Sequence, residues 1–203
     1  MEGPDGSGKS TQINLLKAFL ERLGFSVVQT REPGGTAIAD KIRELLLNAD
    51  YREMTPRTEA LLYMASRAQH TAELIRPALD SGAVVISDRY ADSTLVYQGV
   101  ARGLPQSELI SLNRFATGDL APDLTLLLDG DLENLASRMV RRGKKDRLDS
   151  EDPEFHRQVR AGFLTLAAQE PERVHIVDAN RGIESVWAEI EAFVANFLKK
   201  RGQ

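Results

Sequence analysis

The chain has 203 residues, 42% hydrophobic and 28% charged, with a net charge of −4 and no cysteine. That length suits one domain with a sizeable core. The acidic balance offers no basic field to nucleic acid, and the missing cysteines exclude disulfides, thiol catalysis and Cys-ligated zinc. No apolar run approaches the ~18 residues of a membrane span, and no charged-then-apolar signal pattern opens the chain. Secretion and membrane association are therefore not expected, and the composition is compatible with a cytoplasmic protein.

In chain order, Gly3-Pro4-Asp5-Gly6-Ser7-Gly8-Lys9-Ser10-Thr11 satisfies G-x-x-x-x-G-K-[ST] at every fixed position. Glycines let the backbone curl so that successive N–H groups face phosphate oxygens. Lys9 adds a point charge for the outer phosphates, and Ser10 offers a hydroxyl to Mg²⁺. Ile13, Leu16, Leu20 and Leu23 recur at helical spacing, and Gly24 ends the helix. Its positive N-terminal end therefore points at the same anion.

Phe25–Thr30 is a β-rich run that empties into the polar turn Arg31-Glu32-Pro33-Gly34-Gly35-Thr36. Ligands collect at such carboxyl ends of strands in open α/β sheets. A helix follows with Ile38, Ile42, Leu45 and Leu46 on one face and Arg43 off it. Thr55-Pro56 starts a long helix, with the hydroxyl as N-cap and proline at the first position; a bend is expected near Pro77. Tyr63 and Arg67 are four apart and share a face. Taken alone, such a pair reads as a solvated edge.

Ala83–Ser87 is a continuously apolar strand, as burial on both faces requires. It ends in Asp88-Arg89-Tyr90. An acid there can approach the magnesium through water, and the arginine can clamp a phosphate with its planar fork. The stretch Ala91–Gly99 interleaves polar and aromatic residues. A helix over Pro105–Ala116 is expected to turn Leu109, Leu112 and Phe115 inward. Asp123–Asp129 is another buried strand, and Asp131 caps a helix running to Arg142. Arg141–Arg147 then holds five cations in seven residues, either a solvated face or a basic flap over a phosphate site. Asp152-Pro153 starts a helix with Phe155, Val159, Phe163 and Leu166 inward; Val174–Ala179 is the last strand, and a final helix carries Val186, Ile190, Phe193, Val194 and Phe197.

Strands alternating with helices imply a three-layer α/β fold, a parallel sheet with helices on both faces. Every candidate phosphate contact lies at a strand's carboxyl end or on the flap, so the segments point to one site. A phosphate loop normally follows a central buried strand, yet only Met1 and Glu2 precede Gly3. That strand is largely missing, and the natural protein is expected to begin several residues upstream with a Val/Ile/Phe-rich run. As written, the chain is expected to be poorly soluble or inactive.

The stretches EGPDGSGKST (Glu2–Thr11), TREPGGT (Thr30–Thr36), LLYMASR (Leu61–Arg67), SDRYADSTLVYQG (Ser87–Gly99), APDLTLLLD (Ala121–Asp129) and RRGKKDRLD (Arg141–Asp149) together resemble the bacterial thymidylate kinases, P-loop nucleoside monophosphate kinases, over essentially the whole chain. The phosphate loop alone is unspecific; TREPGGT followed by DRY-x-x-S-T-x-x-Y-Q-G is not. The resemblance implies one domain over residues 1–203 with a lid at about 141–152, and transfer of the ATP γ-phosphate to dTMP, giving dTDP and ADP with Mg²⁺. It also implies a homodimer. By position, Asp5 would sit near the deoxyribose 3′-hydroxyl and the metal, Tyr63 would stack on thymine, Arg67 would donate to the base and Thr94 would contact it. Arg89 would hold the dTMP phosphate, Tyr97 would lie under the sugar, and the Glu32-Pro33 turn would close the pocket, with Arg43 a weaker phosphate contact. Asp88 would stand behind the water shell of magnesium. With no arginine within Asp5-Gly6-Ser7-Gly8, the basic residues fall in the flap, where Arg142 and Arg147 would reach the phosphates or adenine on closure. A regulatory GTPase would need [NT]-K-x-D after a strand, and Lys145-Asp146 lacks that pattern; a kinase for dUMP or UMP is the enzyme alternative.

Overall fold

The computed structural model describes residues 1–142 and 147–202, and the side chains of residues 140–142 also fall outside the description. Among the described residues four strands, β1 (Val27–Arg31), β2 (Val84–Asp88), β3 (Thr125–Asp129) and β4 (Val174–Asp178), form two parallel pairs, β1–β2 and β3–β4. Met1 and Glu2 join the pairs. The main-chain nitrogen of Met1 donates to the Ser87 carbonyl at 3.0 Å, and the Arg89 N–H donates back to the Met1 carbonyl at 2.9 Å. On the other side the Glu2 N–H reaches the Leu126 carbonyl and the Leu128 N–H the Glu2 carbonyl, both at 2.9 Å. Two residues thus hold the central position at the carboxyl end of a parallel sheet. Behind them lies a slot of about 460 Å³ lined by Val85, Ile86, Leu124 and Leu126 among others.

Helices cover both faces. On one, α1 (Lys9–Arg22) and α9 (Ile183–Lys200) pack Ile13, Leu16, Phe19 and Leu20 against Val186, Ile190 and Val194, over Ile86, Leu126, Leu128 and Val177. On the other, α2 (Ala37–Leu47), α3 (Pro56–His70) and α8 (Pro153–Gln169) place Leu46, Tyr63, Phe155, Val159 and Phe163 around Leu127. The unbroken run Leu126-Leu127-Leu128 follows from this, since alternate side chains enter different cores. The caps also follow the sequence. Thr55 accepts the Thr58 N–H at 3.3 Å, and Asp152 accepts the Phe155 N–H at 2.8 Å.

Several details differ from expectation. Phe115 on α6 (Gln106–Thr117) is 89% exposed, because Leu109 and Ala116, seven apart, define the inner stripe and Phe115 lies about 120° from it. On α2 the inner row is Ala39, Ile42 and Leu46; Ile38 and Leu45 form the next row and are exposed. Leu23 caps α1 and stays outside. The bend expected at Pro77 is taken up earlier, by a π-helical turn over Thr71–Ile75, after which α4 (Arg76–Asp80) resumes. Proline has no N–H to donate to the carbonyl four residues back. The stretch after Asp88-Arg89-Tyr90 is helical as well: α5 (Ala91–Thr94) runs into a second π-helical segment, Leu95–Ala101.

Burial separates two leucines of one helix. Leu20 is 3% exposed and Leu23 53%. Leu20→Ala should therefore cost about 2–5 kcal/mol, and Leu23→Ala no more than about 0.5 kcal/mol. Urea denaturation of the two variants against the parent checks this; equal losses would contradict the packing.

Candidate active site

The phosphate loop runs from the carboxyl end of the Met1–Glu2 stub into α1. Gly3, Gly6 and Gly8 all have positive φ. A Cβ on Gly3 would stand 2.3 Å from the Leu128 carbonyl oxygen, and one on Gly6 2.5 Å from that of Leu135, so neither position admits a side chain. Lys9 is buried and curls back on the loop, its Nζ donating to the Gly3 and Pro4 carbonyls at 3.0 Å each. Burial, aided by the positive charge of Arg89, lowers its ammonium to about 8, against the opposing pull of Asp5, Asp88 and Glu2. The Ser10 hydroxyl donates to Asp88 Oδ2 at 3.3 Å, bringing the helix start and the β2 tip together.

Arg89 follows Asp88 with φ 70, a left-handed conformation that turns its side chain back over the loop. Its Nη2 donates to Asp5 Oδ1 at 3.0 Å and its Nη1 to Ser93 Oγ at 3.3 Å, while the guanidinium lies over the Tyr97 ring at 5.1 Å. Glu2 supports this arrangement from beneath. One oxygen accepts the Tyr90 N–H and the other the Ser93 hydroxyl, each at 2.7 Å, and the latter oxygen is 3.8 Å from Arg89.

A cavity of about 1020 Å³ opens over these groups. Its walls include phosphate-loop residues Asp5 to Thr11, then Glu32, Pro33 and Arg43, then Tyr63, Asp88, Arg89 and Tyr97. Gly3 and Pro4 form the base of the loop and accept from Lys9. The Glu32-Pro33 bond is cis, and Arg43 Nη1 donates to the Pro33 carbonyl at 2.7 Å. Arg67 and Thr94 are not in the cavity wall. Arg67 is 1% exposed, and its fork donates to Glu32 Oε2 at 2.7 Å, Thr94 Oγ1 at 2.8 Å, Asn113 Oδ1 at 2.7 Å and the Tyr90 carbonyl at 3.0 Å. His70 holds the other Glu32 oxygen at 3.0 Å and Thr30 at 2.7 Å. The Tyr63–Arg67 pair is therefore interior, and Arg67 sets the shape of the wall from behind.

Arg147, expected to reach the phosphates or adenine on closure, is held inside in this structure. Its Nε donates to the Leu46 carbonyl at 3.0 Å, and its Nη2 lies 2.5 Å from Glu59 Oε2. A buried carboxylate captures it where the sequence shows only a run of cations. The Arg142 side chain and residues 143–146 of the flap lie outside the described residues.

The cavity contains residues the sequence reading missed. Arg138, Arg181, Gly182 and Ile183 form an end beyond α1. There Arg138 Nη1 donates to the Ala179 carbonyl at 3.0 Å and Gln12 Nε2 to the Ile183 carbonyl at 3.1 Å. Arg181-Gly182 follows the carboxyl end of β4, the placement that singled out the turns after β1 and β2, and could have been found the same way. Ser93 and Gln98, also in the wall, are fixed positions of DRY-x-x-S-T-x-x-Y-Q-G, so the motif marked them although no role was assigned to either. Among the described residues no three His, Cys, Asp or Glu side chains converge on a metal position.

Loop, basic clamp and two-ended cavity together suit a pair of phosphorylated ligands meeting head to head. Comparison with known proteins agrees. Residues 1–190 match the family model described as thymidylate kinase. A thymidylate kinase from Exiguobacterium sibiricum is 49% identical over 201 residues, covering 99% of this chain and 95% of that protein. One from Pelotomaculum thermopropionicum is 50% identical over 203 residues, covering 98% and 94%. The crystal structure of thymidylate kinase from Ehrlichia chaffeensis superposes with a TM-score of 0.76 at 33% identity, covering 96% of this chain and 95% of that one. The chain belongs to the thymidylate kinase family and is a phosphotransferase.

Proposed function

We propose that the chain transfers the γ-phosphoryl group of ATP to dTMP with Mg²⁺, by in-line displacement inside the cavity described above. The carrying observation is that the phosphate loop and Arg89 face one continuous space of about 1020 Å³, enough for two nucleotides by the usual size of ligand pockets. ATP takes the loop and the Arg138–Arg181 end; dTMP takes the Tyr63–Tyr97 end with its phosphate on Arg89. The donors already in place neutralise charge on the transferring group, so catalysis is positioning plus electrostatic stabilisation. Ser10 and Asp88, in contact across the loop, are the groups that fit a hard divalent cation. The absence of a protein-only cage among the described residues suits Mg²⁺, which is held chiefly by substrate phosphates and water. The cation would draw charge from the triphosphate oxygens, and Asp5 would orient Arg89 towards the acceptor phosphate. A cytoplasmic setting, where nucleotides are made, goes with this reading. A coupled assay across dTMP, dUMP and UMP tests it, and dTMP should be the best acceptor; equal turnover of UMP would overturn it.

The exposed apolar residues Leu61, Ile110 and Phe115 on the neighbouring helices α3 and α6 support a homodimer. Phe115→Asp should shift the mass measured by light scattering from two chains towards one, whereas a monomeric parent would remove the dimer from the proposal.

Arg89→Ala removes a charge-assisted contact worth about 1.5–3 kcal/mol. Calorimetry should show weaker dTMP binding with ATP binding largely kept; equal losses for both nucleotides would reassign Arg89. Lys9 gives a pH dependence. Its ammonium titrates at about 8 in the free site, and a bound triphosphate favours the charged form and raises that value. ATP affinity should therefore be level below pH 8 and fall above it. Titrations at pH 8.5 in buffers of different ionisation enthalpy should register proton uptake on binding; a flat profile through pH 9 would contradict the burial of Lys9.

A further inference from the structure

Glu59, on α3, is buried away from the cavity, yet it meets four groups from two other parts of the chain. Its Oε1 accepts from Gln98 Nε2 at 2.8 Å and Arg102 Nε at 3.3 Å. Its Oε2 accepts from Arg102 Nη2 at 3.2 Å and faces Arg147 Nη2 at 2.5 Å. Arg102 in turn binds Glu151 at 2.5 Å and lies over the Phe155 ring at 4.7 Å. Burial alone would lift the Glu59 carboxyl, but hydrogen bonds from Arg102 and Gln98 and the charges of Arg102 and Arg147 hold it below the usual carboxylate range. Near neutral pH Glu59 is ionised, and an ionised carboxylate can only accept hydrogen bonds.

This has a directional effect on Gln98, a residue of the cavity wall beside Tyr63, Ser93 and Tyr97. Its side-chain amide carries a donor and an acceptor, and turning it over exchanges them at little cost in shape. Facing an acceptor-only partner, it must present Nε2 to Glu59. Its carbonyl oxygen, which has no hydrogen-bond partner among the described residues, is then the polar atom left for a ligand. We propose that Glu59 is a positioning residue for acceptor specificity: it fixes the Gln98 amide so that the wall offers an acceptor, selecting a pyrimidine with an imide N–H, as in thymine, over one with a bare ring nitrogen, as in cytosine.

The inference rests on the proposed dTMP kinase activity and deepens it. A polar wall of fixed sense discriminates because the wrong base leaves a buried group unpaired. Glu59→Gln keeps the size of the side chain but gives it both a donor and an acceptor, so either orientation of Gln98 becomes possible.

The experiment compares kcat/KM for dTMP and dCMP, and calorimetric binding of both, in the parent and in Glu59→Gln, with thermal unfolding recorded alongside. The parent should prefer dTMP. The variant should lose about tenfold or more of that preference, the scale of one hydrogen bond, with the KM for ATP unchanged. In a Gln98→Ala background, Glu59→Gln should leave the dTMP/dCMP ratio unaltered. Glu59→Asp retains the charge but withdraws it by one methylene, and should lose preference in the same sense; it carries the test if Glu59→Gln does not fold. A parent that neither binds nor turns over dTMP overturns both the activity and the inference. An active parent whose preference survives in folded Glu59 variants overturns the inference alone. So does an equal effect of Glu59→Gln with and without Gln98, or failure of both variants to fold, which would make Glu59 a structural residue only.

Discussion

Four main-chain hydrogen bonds, two on each side of Met1–Glu2, hold the site together. They fix the β1–β2 pair, which ends in Arg31 and Asp88, relative to the β3–β4 pair, which ends in Asp129 and Asp178. They also set where the phosphate loop leaves the sheet. The Glu2 side chain extends the same junction, since it holds the Tyr90 N–H and Ser93, and Ser93 holds Arg89. Backbone pairing, loop origin and phosphate clamp are thus consequences of one two-residue crossing. Parallel sheets place their functional ends together only when adjacent strands are in register.

The cations of the site are engaged with the protein's own oxygens. Lys9 rests on two loop carbonyls, Arg89 on Asp5, Arg43 on the Pro33 carbonyl and Arg138 on the Ala179 carbonyl. None of these contacts is a deep ion pair of the kind Arg67 makes with Glu32. Neutral carbonyls and a partly accessible aspartate are weak competitors for a cation beside a triphosphate. A ligand phosphate can therefore replace them without leaving a buried charge unpaired, which would cost far more.

Much of this was legible in the sequence because local rules carried it. The phosphate loop, the N-caps at Thr55 and Asp152, the doubly buried Leu126-Leu127-Leu128 and the turns after β1 and β2 are each determined within a few residues. What the sequence hid depends on partners distant in the chain. Arg67 looks like a surface arginine until Glu32, Thr94, Asn113 and Tyr90 surround it. Arg147 looks like one more flap cation until Glu59 takes it. Phe115 failed for a simpler reason. Hydrophobicity alone does not bury a residue; the helical angle between Phe115 and Leu109 decides it, and an exposed apolar residue breaks no physical rule.

The π-helical segment Leu95–Ala101 follows α5 without a break, and the Arg102 N–H closes it on the Tyr97 carbonyl five residues back. A turn of that width holds one residue more than an α-helical turn. Tyr97 and Gln98 are consecutive, yet both reach the cavity wall, while Val96 packs in the core behind. The number of residues between Arg89 and Arg102 is therefore itself a functional quantity. A deletion of one residue here, even one that kept every named side chain, would rewind the segment as an ordinary helix and remove the wide turn that brings Tyr97 and Gln98 to one wall. Over evolutionary time the stretch should accept substitutions far more readily than changes of length.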